Sequence, residues 1–242
     1  MDSPATSDRD LIPRPGDPLP SGEDKTRSVR AMFDVIADRY DTVNRVMTFR
    51  MDVGWRKRTV ATLGLPPGAV VVDLACGTGD LARELAGRGL TAVGADLSYG
   101  MLAAAPVPFP RVQTDGSAMP FPDASVDGLT CGFALRNFTD LAATLAETAR
   151  IVRPGGRIAL LEVAEPPNPV MKFGHGIYFG KVVPRIGALL SDGDAYRYLP
   201  RSVEYLPSPD ELVAMVTGAG FRDTRRTLLS GGISQLITAT RV

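Results

Sequence analysis

The spacing of apolar residues divides the chain into a helical first part and a second part in which strands alternate with helices. From Arg27, apolar residues recur at helical spacing, which predicts a helix starting there and two further helices over 43–47 and 52–63. Pro66-Pro67-Gly68 ends this helical lead-in, residues 27–66. Residues 1–26 are rich in Pro, Ser, Asp and Gly and carry few apolar residues, so we expect a disordered tail there.

Beyond Gly68, short apolar runs alternate with helical patterns. We predict strands over 69–75, 90–96, 111–114, 126–132 and 157–163. We predict helices over 79–88, 98–105 and 139–152, with Ser98 as an N-cap and a tight turn at 154–156. Strands that alternate with helices indicate a parallel sheet.

Residues 165–206 interrupt this alternation, and we interpret them as an insertion on the substrate side of the fold. After them, Ser208-Pro209-Asp210-Glu211 has the pattern of a capping box that begins a helix. Two strands over 221–229 and 233–240 follow as an antiparallel hairpin. The prediction is an α/β, Rossmann-like fold: a seven-stranded, mostly parallel sheet with an antiparallel C-terminal hairpin and N-terminal helices, in one domain over 27–242.

The first predicted strand leads into a turn with the pattern of a ligand site. Residues 70–82 read VVVDLACGTGDLA, an apolar strand with an acid at Asp73, then Gly77 and Gly79 before a helix. Glycines let the backbone turn tightly and approach a ligand at the carboxyl end of a strand. Asp96 ends the next strand, about 20 residues on, where an acid can bind both hydroxyls of a ribose. This pattern alone fits NAD or S-adenosylmethionine.

The acids near the turn favour S-adenosylmethionine. Asp73 can attract the cationic aminoacyl end of that cofactor and would repel a diphosphate. We expect Asp115-Gly116 to meet the edge of the adenine and Leu97 to lie against its face. We expect Thr78 to cap the turn. The predicted cofactor site consists of Asp73, Ala75, Gly77, Thr78, Gly79, Asp96, Leu97, Asp115, Gly116 and Gly132.

Composition excludes several classes of protein. With 27 basic and 27 acidic residues among 242, the net charge is zero, which argues against a general nucleic-acid-binding surface. Cys76 and Cys131 suggest neither a disulfide framework nor a zinc site, and no metal is expected. We find no signal-peptide pattern and no apolar run long enough to span a bilayer, so a cytoplasmic location is expected.

Further segments carry a resemblance to a known family, over roughly residues 28–240. They are Tyr40-Asp41-Thr42-Val43-Asn44 with its continuation to Trp55, Phe133-Ala134-Leu135-Arg136-Asn137-Phe138-Thr139-Asp140, Arg150-Ile151-Val152-Arg153-Pro154-Gly155-Gly156, Pro184-Arg185-Ile186-Gly187 and Tyr196-Arg197-Tyr198-Leu199. Together they resemble the ubiquinone/menaquinone biosynthesis C-methyltransferases, which are class I S-adenosylmethionine-dependent methyltransferases. The acid at Asp52 is similar to the menaquinone branch.

This resemblance implies a reaction and the residues that support it. The reaction is methylation of a ring carbon of a prenylated quinol, demethylmenaquinol in the menaquinone branch. Arg136, Asn137 and Tyr40 would orient the quinol and handle its hydroxyl, and Asp41 is another candidate in the proton-accepting chain. Because the pKa of arginine exceeds ~12, Arg136 would stabilise an anion or orient water instead of accepting a proton.

Two alternatives stay open, and departures from the family pattern motivate the first. The departures occur at Gly132, Ala164 and Pro200-Arg201 and in the final hairpin. One alternative is a methyltransferase of secondary metabolism with another phenolic or polyketide acceptor. The other is a protein that binds S-adenosylmethionine and transfers no methyl group.

Three remaining features concern the acceptor and the surface. The apolar stripe at 170–190 contains basic residues, so we expect a tunnel for a prenyl tail, a lid or a bilayer contact, not a membrane span. We interpret Arg56-Lys57-Arg58 as a solvated helix face, with anionic lipid as the alternative, and His175 as structural, with a catalytic base as the alternative. The expected partner is a lipophilic quinol and no nucleic acid, with peripheral membrane contact and a homodimer left open.

Overall fold

The computed structural model describes residues 8–13, 17–183, 185–186 and 201–242. Three helices come first: α1 (Gly22–Ile36), α2 (Tyr40–Met47) and α3 (Met51–Leu63). The alternating part contains β1 (Val70–Leu74), α4 (Asp80–Gly87), β2 (Thr91–Asp96), α5 (Tyr99–Ala103), β3 (Arg111–Gln113), β4 (Val126–Gly132), α6 (Leu141–Ile151) and β5 (Val152–Val163). The last described elements are α7 (Pro169–Ile177), α8 (Pro209–Gly218), β6 (Phe221–Leu229) and β7 (Ser234–Arg241).

The seven strands form one sheet in the order β3-β2-β1-β4-β5-β7-β6. The first five are parallel, and β7 is antiparallel to both β5 and β6. The predicted architecture, with its closing antiparallel hairpin, is therefore confirmed. The strand order reverses between β1 and β4, and open α/β sheets place ligands in the crevice outside the carboxyl ends of the strands at such a point.

Both faces of the sheet are buried, which is why its central strands are continuous apolar runs. Val72 and Leu129 belong to a core cluster with α6 and α8, whereas Val71 on the opposite face belongs to a cluster with α3 and α4. A third cluster joins α1 and α2 to Val183, beyond α7. The N-terminal helices and the segment after α7 thus pack together.

The start of α1 corrects the predicted boundary at Arg27. The helix begins at Gly22, and Ile12 is buried in the third cluster, so the expectation of a disordered tail through residue 26 is wrong for these parts. Lys25 is buried too, and its Nζ donates a hydrogen bond of 2.7 Å to the carbonyl of Phe138. The first turn is polar, with Glu23 and Asp24 favourable at a helix N-terminus, so hydrophobic spacing did not reveal it.

Other local predictions have mixed outcomes. Ser98 caps α5 by accepting a hydrogen bond from the Met101 amide, and the capping box at Ser208 is present, as predicted. The predicted turn at 154–156 instead lies inside β5, where the register with β4 shifts. Four features lie outside the described residues: the resemblance at 196–199, positions 184 and 187 of the resemblance at 184–187, Pro200, and the end of the apolar stripe.

Candidate active site

The turn between β1 and α4 has the backbone conformation that its glycines predict. Ala75, Gly77 and Gly79 all have positive φ, at 53°, 55° and 87°. A Cβ at Gly79 would lie 2.7 Å from Phe109 Cζ, so a side chain there would clash as well as strain the backbone. The Gly77 amide donates a hydrogen bond of 2.7 Å to Asp96, which ties the turn to the end of β2.

A first cavity of about 250 Å³ lies beside this turn, at the carboxyl ends of the central strands. It brings together nine of the ten residues predicted to bind the cofactor: Asp73, Ala75, Gly77, Thr78, Asp96, Leu97, Asp115, Gly116 and Gly132. Gly79 does not line the cavity, and its positive φ is part of the turn's backbone conformation. Tyr40, Asp41 and Asn137 line the same cavity.

Two buried carboxylates face this cavity in different states of hydrogen bonding. Asp73 Oδ1 accepts a bond of 2.9 Å from Thr130, but among the described residues Oδ2 has no partner. Burial raises the pKa of Asp73 to about 7 and that of Asp96 to about 6. Asp96 is already held by the amides of Gly77 and Ser98. The two acids therefore fit a ligand with a positive charge and a pair of hydroxyls.

Thr78 and Asp115 each fix a loop at the cavity, but Thr78 does not cap the turn as predicted. Gly79 is the N-cap of α4, without a side-chain cap, so the prediction that Thr78 caps the turn is wrong. The Thr78 hydroxyl instead donates a hydrogen bond of 2.6 Å to Asp41 Oδ1, which ties α2 to the turn. Asp115 accepts bonds from the amide and hydroxyl of Ser117, which fixes the loop after β3 at the rim of the cavity.

A second cavity of about 360 Å³ adjoins the first. Its wall is mainly apolar and comes from α2, α3, α7 and the π-helical turn Tyr178–Val182: Met47, Phe49, Met51, Met171, Tyr178 and Phe179 are among the lining residues. Tyr40, Arg56 and Phe133 line both cavities and so form their shared wall. A ligand with a polar end and a long apolar part could reach from one cavity to the other.

Arg136 and Asn137, in the short 3₁₀ turn after β4, are neighbours in sequence but differ in surroundings. Arg136 lines only the second cavity, where its guanidinium forms a buried ion pair with Glu162 and donates to Ser202 Oγ at 3.0 Å and the Phe133 carbonyl at 2.9 Å. Asn137 lines the first cavity and is 7% exposed, and its side-chain amide has no hydrogen-bond partner within the described part of the chain. Such a side-chain amide is available to hydrogen-bond a ligand in the cavity.

Arg56 is the main residue of the site that sequence reasoning missed. The interpretation of Arg56-Lys57-Arg58 as a solvated helix face is right for Lys57 and Arg58 and wrong for Arg56, whose side chain is 12% exposed. The sequence contained a signal for this ion pair, because Asp52 and Arg56 stand four positions apart and so share one face of the helix. His175 was not placed in the site either, yet it lines the second cavity, where its buried Nε2 has no partner in the described residues.

Comparison with known proteins agrees with this geometry. The family model of the ubiE/COQ5 methyltransferase family matches residues 21–241. The chain is similar to proteins called demethylmenaquinone methyltransferase, at 41% identity in Roseiflexus castenholzii and 38% in Desulfitobacterium hafniense, covering 92% and 91% of this chain and 97% and 92% of theirs. A solved structure of an S-adenosylmethionine-dependent methyltransferase from Thermotoga maritima superposes with a TM-score of 0.63 at 17% identity, covering 88% of this chain and all of that one.

The structure also bears on membrane spanning. In the described part of the chain, no helix is both long and apolar enough to cross a bilayer.

Proposed function

The chain belongs to the ubiE/COQ5 methyltransferase family, and we propose that it methylates a ring carbon of demethylmenaquinol to give menaquinol. It is an S-adenosylmethionine-dependent methyltransferase. The observation that carries the proposed acceptor is the pair of adjoining cavities, one with buried carboxylates and one mainly apolar, with Tyr40, Arg56 and Phe133 in their shared wall. The relatives' names support this acceptor over another phenol and over binding without transfer.

The first cavity would hold the cofactor, which supplies an electrophilic methyl group on a sulfonium. Asp73 would attract its cationic end, because Oδ2 is buried and lacks a partner among the described residues. Asp96 would bind the ribose hydroxyls, with Leu97 against the adenine and Asp115 and Gly116 at its edge. Gly116 leaves room there, since a Cβ would come within 3.1 Å of Phe138.

The second cavity would hold the prenyl tail of the quinol, so that its ring lies at the shared wall. A ring carbon becomes nucleophilic when the neighbouring hydroxyl loses its proton, so groups that bind the resulting oxygen assist the reaction. Asn137 would bind it, because its unpartnered amide lines the cavity that holds the methyl donor. Burial raises the pKa of Tyr40, which would therefore remain a neutral hydroxyl that can donate to the same oxygen.

Arg136 would act through position. Its guanidinium is bound to Glu162, Ser202 and a carbonyl, so it fixes the turn that presents Asn137. Asp41 would take part in passing the hydroxyl proton to solvent, since it lines the first cavity and already accepts a hydrogen bond from Thr78.

The apolar surface beside the second cavity supports contact with a bilayer. Val170 and Phe173 of α7 are 80% and 72% exposed, and Phe49 is 71% exposed. A prenylated quinol dissolves in lipid, so α7 would lie on the bilayer surface where the substrate enters. Flotation with phospholipid vesicles should recover the wild-type protein and less of V170D/F173D, and equal recovery would contradict this contact. The homodimer stays a prediction.

A turnover assay tests the function. The purified protein, S-adenosylmethionine and a short-chain demethylmenaquinol should yield S-adenosylhomocysteine and methylated quinol in equal amounts. The oxidised quinone should not react, because it has no hydroxyl to ionise. Cofactor binding without turnover on any reduced quinone would refute the proposal, and turnover only on non-prenylated phenols would favour the other acceptor class.

A further inference from the structure

Arg56 lies where the proposed reaction needs a positive charge, and the role inferred for it rests on the proposed function. Its side chain lines both cavities together with Tyr40 and Phe133, and its guanidinium carbon is 6.0 Å from the centre of the Phe133 ring. An acceptor ring at the shared wall would present its ionised hydroxyl close to the Arg56 guanidinium. Arg56 is thus the arginine common to both cavity linings.

The guanidinium has donors to spare. Both of its ion pairs, with Asp52 and with Asp80 Oδ2 at 3.1 Å, use Nη1, and within the described part of the chain Nε and Nη2 make no hydrogen bond. Arg136 differs, because both Nε and Nη1 are engaged by protein groups. Arginine presents five donors in a planar fork, so a guanidinium anchored on one side can bind an anion on the other.

Arg56 belongs to a cluster of three acids and three arginines, itself included. α2 contributes Asp41 and Arg45, α3 contributes Asp52, and α4 contributes Asp80 and Arg83. Asp80 is shared by Arg45, Arg56 and Arg83, so the three acids face three arginines. The cluster holds the Arg56 side chain in one place, which is what an electrostatic role in catalysis requires.

The titration of neighbouring groups agrees with this position. Burial raises the pKa of Tyr40, and the charge of Arg56 is the main influence that opposes the rise. Burial also raises the pKa of Asp73, and Arg56 again opposes it. The guanidinium therefore acts on one group in the shared wall and on one deep in the cofactor cavity.

We propose that Arg56 is a catalytic residue, whose free Nε and Nη2 donors bind the phenolate oxygen of the acceptor. The hydroxyl proton passes to solvent, and the negative charge on oxygen is held by the guanidinium while its electron density reaches the ring carbon. That carbon bonds to the methyl carbon, the electron pair of the broken C–S bond stays on sulfur, and the ring proton leaves to water. Binding is then stronger for the ionised acceptor than for the neutral one.

A spectroscopic titration tests this without relying on turnover. A prenylated 1-naphthol has one hydroxyl, so it cannot become a quinone by losing two electrons and two protons, and it absorbs at longer wavelength when ionised. Bound to the protein with S-adenosylhomocysteine, its pKa should be at least about one unit lower in wild type than in R56Q, because both proteins bury the hydroxyl and only wild type places the guanidinium beside it. R58Q is the matched control, since Arg58 is exposed on the same helix, and it should behave as wild type.

Kinetics with demethylmenaquinol complete the test. R56Q should lower kcat at least about tenfold and move the acid limb of the pH profile to higher pH. At a pH well above the pKa of Asp73, where that carboxyl is ionised in both proteins, cofactor affinity should stay within about twofold. R56K, which keeps a cation, should recover part of both effects. Absence of wild-type turnover would contradict the proposed function. Wild-type turnover together with the same naphthol pKa in wild type and in an R56Q or R56K protein that still binds S-adenosylhomocysteine would overturn this inference alone.

Discussion

Replacing Asn137 with leucine should stabilise the free protein and nearly abolish methyl transfer. Asn137 is 7% exposed, and neither its amide nitrogen nor its oxygen has a partner in the described residues. A buried polar group without a hydrogen bond costs about 1–3 kcal/mol. An apolar side chain of similar size removes that cost, and for a domain of this length each kcal/mol corresponds to roughly 2–4 °C in Tm.

The effect on activity should have the opposite sign. If the Asn137 amide binds the acceptor's oxygen, its loss should lower kcat by about 10²–10³, the range found when one oxyanion donor is removed. Thermal unfolding without ligands and turnover at saturating cofactor measure the two effects on one preparation.

Thr148→Val provides the control. Thr148 is also buried, but its hydroxyl donates 2.8 Å to the Thr144 carbonyl, and it lines neither cavity. This variant should be no more stable than wild type and equally active. An N137L protein that is less stable than wild type, yet turns over normally, would refute the reasoning and make Asn137 a packing residue.

Three further predictions concern the cofactor turn and the buried ion pair. Because the pKa of Asp73 is raised to about 7, its carboxyl gains a proton as the pH falls through that value. Affinity for the cationic cofactor should therefore drop up to tenfold per pH unit below about 7. Calorimetry should find that D73N binds the cofactor weakly and with nearly the same affinity at every pH. Gly79→Ala should lower stability by roughly 1–2 kcal/mol or more and weaken cofactor binding, and Phe109→Leu in the same chain should restore part of the Tm, whereas an unchanged melt would contradict the clash. Glu162→Gln should cost about 3–5 kcal/mol because it leaves the Arg136 guanidinium buried without its counter-charge, and replacing both residues with leucine should regain stability in urea unfolding but not activity.

The sheet was predictable because its signals are local. Apolar runs, the glycine turn and the capping residues each fix a short segment, and the alternation of strands and helices fixes their arrangement. The acids at strand ends could be assigned to one site for the same reason, since the carboxyl ends of parallel strands meet at one edge. Asp73, Asp96 and Asp115 accordingly line one cavity.

The residues that sequence reasoning misjudged depend on contacts distant in the chain. Lys25 is buried because Phe138 accepts its hydrogen bond and Tyr205 covers its ammonium, and neither contact is visible in the polar segment where Lys25 stands. Arg56 stands in a run of three basic residues, and only the packing of α3 against α4 and β5 separates it from Lys57 and Arg58. Arg136 likewise has a partner, Glu162, that lies 26 residues away in β5.

Locating the transferred methyl group tests the central claim most directly. The protein should be given demethylmenaquinol and S-adenosylmethionine with a deuterated methyl group, and the product examined by carbon NMR. We expect a trideuteromethyl group on the ring carbon next to a hydroxyl. A label on oxygen would contradict C-methylation of the quinol. So would an unlabelled quinol from a protein that methylates other phenols.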